Sequence, residues 1–133
     1  MFSIVKEAVK NYIDSIEGDI KECDSQKIEG FVSKIDIKGD ENYDIFIVVP
    51  HEKLLYLANY YFGDERYDCE DLTKEIANQI IGNAKIVATK KDKNFEIGIP
   101  EFLGEYNDKI EFDEKLAFKF NGDKCFYILF KEK

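Results

Sequence analysis

The sequence predicts an α/β chain of α+β type, with a mostly antiparallel sheet of five to six strands packed with about three helices. Three observations carry this. Phe31, Ser33, Ile35 and Ile37 alternate along residues 28–38, the period-two signature of a half-buried strand. Residues 2–16 and 71–88 space their apolar side chains three and four apart, the signature of helix. Two pairs of strand-like runs flank the short turns Gly39-Asp40-Glu41-Asn42 and Asn121-Gly122-Asp123. Such short turns join neighbours antiparallel, and Asn-Gly suits the positive φ of a tight hairpin.

The elements follow in order. Val5, Ala8, Val9, Tyr12, Ile13 and Ile16 form the apolar stripe of a first helix, which Gly18 can stop. Residues 28–38 and 43–49 make a hairpin, the second strand closing on Phe46-Ile47-Val48-Val49. Pro50 opens a helix through Phe62, and Gly63 ends it. An acidic link from Asp64 to Glu70 leads into the helix 71–88. Lys90 to Asn94 is a solvated turn, and Phe95 to Ile99 alternates until Pro100. Residues 101–113 are weakly patterned, with a strand possible in part. Leu116 to Phe120 and Cys125 to Phe130 are the last hairpin.

The length of 133 residues suits a single domain spanning 1–133, without linker or low-complexity segment. At 44% hydrophobic residues, with 11 Phe and 8 Tyr, a substantial core can be buried. Acidic residues outnumber basic ones 28 to 19, for a formal net charge of −9. That balance argues against nucleic acid, whose backbone needs clustered Lys and Arg. It argues equally against an anionic membrane surface. No apolar run approaches the ~20 residues of a membrane span. The first residues lack a signal-peptide core, so a cytoplasmic location is expected. Cys23, Cys69 and Cys125 are scattered without a Cys-x-x-Cys pair, and His51 is the only histidine. Reduced structural thiols and no metal site are expected.

The helix 71–88 carries the most information. Leu72, Ile76, Ile80 and Val87, widened by Ala77, Ile81, Ala84 and Ala88, form its apolar stripe. Asp71, Glu75, Asn78, Gly82 and Lys85 fall opposite. Asn78 is a poor helix former, and Gly82 costs about 1 kcal/mol relative to alanine. A glycine on an outward helix face, beside an amide and a carboxylate, points to something docking closely there.

The spacing Asp71-x3-Glu75-x2-Asn78-x21-Pro100 resembles the signature of the CheC/CheX/FliY phosphatases of bacterial chemotaxis. That pattern is Asp or Ser, three residues, Glu, two residues, Asn, twenty-one residues, Pro. The run Ile76 to Lys85 and the preceding strand, helix and Gly63 are most similar to the CheX branch. The resemblance covers most of the chain, with 101–113 least clear. A second motif at the first helix, as in CheC, is reduced here to Ser3-x3-Glu7-x2-Lys10 followed by Val32. Lysine stands for the amide and valine for the proline, which agrees with the one site per chain of CheX.

The resemblance implies a CheC-like domain acting on the aspartyl phosphate of phosphorylated CheY or a related receiver domain. Such an acyl phosphate needs a water placed in line and charge neutralised on the phosphoryl oxygens. Asn78 would enter the receiver's site and orient the water, since an amide both accepts and donates. Glu75 would pair with the receiver's lysine. No cofactor is implied in this chain; Mg²⁺ is expected in the receiver. A homodimer formed by extending the sheet is implied, and the apolar strands 46–49 and 126–130 offer edges needing cover.

Simpler readings stand beside these. Glu75 in isolation suits a solvated i,i+4 contact, and Asn78 a surface position. Asp71 serves the helix dipole as well as it serves a partner. Lys85 suits the opposite dipole end, and Pro100 ends a strand with no chemistry of its own. His51 at a helix start reads as structural. The alternative function is a non-catalytic module of the same fold, binding receivers or building the flagellar switch.

Overall fold

The computed structural model describes every residue except 17, 19, 24–26, 65 and 121–123. Three helices and a seven-stranded sheet result, one strand beyond the upper expectation. In chain order they are α1 Phe2–Ser15, β1 Ile20–Glu22, β2 Phe31–Gly39, β3 Tyr43–Val49, α2 His51–Phe62 and α3 Cys69–Lys90. There follow β4 Phe95–Ile97, β5 Glu101–Glu105, β6 Glu114–Phe120 and β7 Phe126–Glu132. The extra strand is β1, three residues long and paired to β6. Three residues are too few to display an alternation, so sequence periodicity passes over it.

Every recorded pairing is antiparallel, in the order β1-β6-β7-β3-β2-β4, with β5 also on β2. The expectation that the strands 46–49 and 126–130 are exposed edges is corrected. β3 lies between β7 and β2, and β7 between β6 and β3. Their continuous apolar character marks burial on both faces, not a bare edge. The expected Asn121-Gly122-Asp123 turn lies outside the described residues. The strands beside it do pair antiparallel, Phe118 opposite Phe126.

The two sheet faces are covered differently. On one, Ile35, Ile37, Ile45, Ile47 and Ile128 meet the apolar stripes of all three helices. On the other, Val32, Phe46, Val48, Tyr127 and Leu129 meet Ile28, Tyr106, Ile110 and Phe112 from irregular chain. The weakly patterned stretch 101–113 is therefore β5 followed by a cover for the second face. α1 and α3 run antiparallel: Glu7 pairs with Lys91 at 3.4 Å beyond one end of α3, while Tyr12 lies within electrostatic reach of Glu75 near the other.

The expectation of reduced thiols is also corrected. Cys23 and Cys125 form a disulfide, with Cα atoms 5.9 Å apart and a sequence separation of 102. The Cys23 N–H donates to the Ala117 carbonyl at 3.1 Å, which carries the chain after β1 along β6. β7 opens beside the same strand, so the two sulfurs meet through β6. Only the tertiary pairing of β1 reveals this. Cys69 remains a free thiol.

Candidate functional site

The site is built on α3, two residues longer at each end than its periodicity indicates. Asp68 caps it, its side chain accepting from the Asp71 N–H at 3.0 Å. Asp71 therefore sits in the first turn, where its carboxylate meets the positive end of the helix dipole. Below it, Leu72, Ile76, Ala77, Ile80, Ile81, Ala84, Val87 and Ala88 are all buried. That stripe fixes the rotation of the helix and turns Glu75 and Asn78 to solvent.

Glu75 and Asn78 are treated differently by their surroundings. Glu75 Oε1 accepts from Gln79 Nε2 at 2.9 Å, and its second oxygen has no hydrogen-bond partner among the described residues. The Asn83 side-chain amide in turn donates to the Gln79 carbonyl at 2.8 Å. The Asn78 amide has no partner among the described residues and projects outward. A Cβ added at Gly82 would meet nothing within 4 Å, so the fold itself does not require a glycine there. Lys85 is exposed and makes no ion pair among the described residues. Pro100 stands in the link between β4 and β5, both of which pack against α3; α3 alone brings Glu75, Asn78 and Gly82 into line.

Aromatic groups flank Glu75. The Tyr12 and Tyr61 hydroxyls lie 2.9 Å apart, and the Tyr60 hydroxyl donates to the Ser15 carbonyl at 3.0 Å. Burial above all, then the hydrogen bond with Tyr61, then nearby negative charge including Glu75, push Tyr12 far above its usual pKa. Tyr61 is also raised, by burial first and by Glu75, against the opposing effect of the Tyr12 hydrogen bond. Sequence analysis missed Gln79, although its i+4 spacing from Glu75 was visible. Tyr12 and Tyr61 are 49 residues apart, and no local pattern joins them.

Other reactive groups are occupied elsewhere. His51 Nδ1 shares a hydrogen bond of 3.0 Å with the Tyr67 hydroxyl. Burial, with Asp68 adding, raises the Cys69 thiol above its ordinary pKa, which disfavours the thiolate. Among the described residues no three His, Cys, Asp or Glu side chains cluster as a metal site. No described helix is long and apolar enough to cross a membrane. A cleft of about 760 Å³ lies between the start of α2 and the β5 end, lined by Gly30, Pro50, His51 and Tyr106 among others, and includes no α3 residue. Glu75 and Asn78 are exposed on the helix and line no part of this cleft, unlike the groups of concave sites that enclose small molecules. Their geometry suits insertion into a partner.

A three-helix, antiparallel-sheet domain of this kind is of the CheC-like class. CheX from Vibrio vulnificus superposes with a TM-score of 0.75 at 16% identity, over 96% of this chain and 97% of that one. CheX in the CheX–CheY–BeF3–Mg complex from Borrelia burgdorferi gives 0.70 at 19% identity, over 98% and 97%. FliY from Thermotoga maritima gives 0.63 at 12% identity, over 97% and 84%. No curated protein matches the sequence. The family model for the chemotaxis phosphatase CheX matches residues 31–127. The chain belongs to the CheX family. The matched span contains all of α3 and leaves α1 outside.

Proposed function

We propose that this chain accelerates hydrolysis of the aspartyl phosphate on a CheY-type receiver domain. One observation carries the reading: on a CheX-family fold, an unpartnered outward amide, Asn78, stands one turn from a carboxylate that its neighbour holds in place. Asn78 enters the receiver's site. Its amide oxygen accepts from a water and its NH₂ donates to a phosphoryl oxygen. The water attacks phosphorus, the bond to the aspartyl oxygen breaks, and inorganic phosphate and free carboxylate result. The amide neither gains nor loses a proton. Its contribution is to place the water in line.

Glu75 anchors the complex. Gln79 occupies one carboxylate oxygen, and the other is available to the receiver's lysine. The divalent cation of this chemistry belongs to the receiver. Asp71 and Lys85 lie beyond the centre of this contact, at the two dipole ends.

Decay of a phosphorylated CheY-type receiver from the same organism, with and without the protein, tests the reading. Wild type is expected to accelerate it. Asn78→Ala should lose about 100-fold or more of the acceleration, the scale of one deleted polar group at a reacting centre. Its thermal stability should not fall, because the Asn78 amide has no hydrogen-bond partner among the described residues and alanine is the better helix former. Full acceleration by that variant overturns the assignment of Asn78. Receiver binding without faster decay would favour the non-catalytic module.

A further inference from the structure

Ile86 is an apolar, β-branched side chain on the outward face of α3, and it is 56% exposed. Every other exposed side chain of α3 is charged, an amide or a hydroxyl. Isoleucine is a middling helix former because branching at Cβ restricts its rotamers. Its exposed area adds nothing to the core. One exposed apolar residue is ordinary by itself. The alignment of this one is not. It follows Glu75 by eleven residues, which at roughly 100° each is three turns plus about 20°. It lies about 12 Å along the axis from Asn78, eight residues at roughly 1.5 Å each. Gly82 stands between them with open space above it. Amide, gap and apolar side chain therefore follow one i, i+4, i+8 ridge, which turns by about 80° around the helix from Asn78 to Ile86.

We propose that Ile86 is an apolar anchor for the same receiver domain that Asn78 enters. The inference rests on the receiver reading of Glu75 and Asn78. A partner seated on Ile86 passes over Gly82 and abuts Asn78, so the two contacts belong to one occupant. A second copy of this chain placed there would cover the amide. Receiver domains are doubly wound folds whose sites open outside the carboxyl ends of the strands, bordered by loops. A bordering loop can reach Ile86 while the phosphorylated residue meets Asn78.

The test measures binding to a CheY-type receiver of the same organism, loaded with Mg²⁺ and beryllofluoride. Ile86→Ser should raise Kd by about 5- to 30-fold, the scale of a buried apolar interface contact. Ile86→Leu should stay within about twofold. Turnover at saturating receiver, and melting temperature, should be unchanged in both. Asn78→Ala should give the opposite pattern, retained Kd and lost turnover. If wild type binds and Ile86→Ser binds equally well, the anchor is overturned and the Asn78 reading stands. If wild type neither binds nor accelerates decay, the receiver reading fails and the anchor fails with it. If Ile86→Ser changes the sedimentation mass, Ile86 belongs to a contact between copies and the proposal is overturned.

Discussion

Residues of the site divide by what the fold asks of them. Glu75 is held by Gln79 and influences Tyr12 and Tyr61. The Asn78 amide has no hydrogen-bond partner among the described residues. The tyrosine pair has a consequence of its own. An unfolded tyrosine titrates near pH 10, whereas burial keeps Tyr12 protonated well beyond that. Above pH 10 the unfolded chain therefore binds fewer protons than the folded one, and stability falls as pH rises. The contribution is complete below about pH 10, the unfolded value. Melting temperatures from pH 8 to 11.5 should decline at the alkaline end, and Tyr12→Phe should flatten that decline. An unchanged slope would remove Tyr12 as a cause.

At the scale of elements, α3 sets two demands against each other. Its core stripe favours a continuous helix, and Gly82 weakens it for no internal reason. Gly82→Ala should stabilise the protein by up to about 1 kcal/mol, as alanine outranks glycine in helices. The same variant should raise the receiver concentration needed for half-maximal acceleration. A stability gain with unaltered receiver dependence would mean that no close approach occurs there. This helix was the most legible element, because buried residues at regular spacing leave a strong period. α2 was nearly as clear, with Pro50 at its N-cap and Gly63 at φ 66° as its C-cap. β1 and the cover at 106–112 were not legible. Three strand residues and an irregular segment have no period, and their burial comes from partners distant in sequence. Within the site, Glu75, Asn78 and Gly82 were legible through spacing. Ile86 was not singled out, since in sequence it looks like another residue of the apolar stripe beside Val87.

Across the whole molecule, the Cys23–Cys125 link joins the chain after β1 to the start of β7. It closes 102 residues of separation, and in the chain-entropy account long loops gain most from closure. Cys125→Ser should lower stability by about 2–4 kcal/mol under non-reducing conditions. Reductant should bring wild type close to the same melting temperature. Wild-type melting that ignores reductant would remove the disulfide as a stabilising element. The link lies on the sheet face opposite α3, among Val32, Val48 and Leu129. Its loss should leave turnover per folded molecule intact.

The isolation of the Asn78 amide also bears on how such a domain can change over generations. A group that supports no neighbour can be exchanged without endangering the fold. A single base change turns an asparagine codon into a lysine codon. Selection on the scaffold and selection on the reaction are thereby separable. A lineage could drop the chemistry and keep the docking surface, or recover it, by one nucleotide.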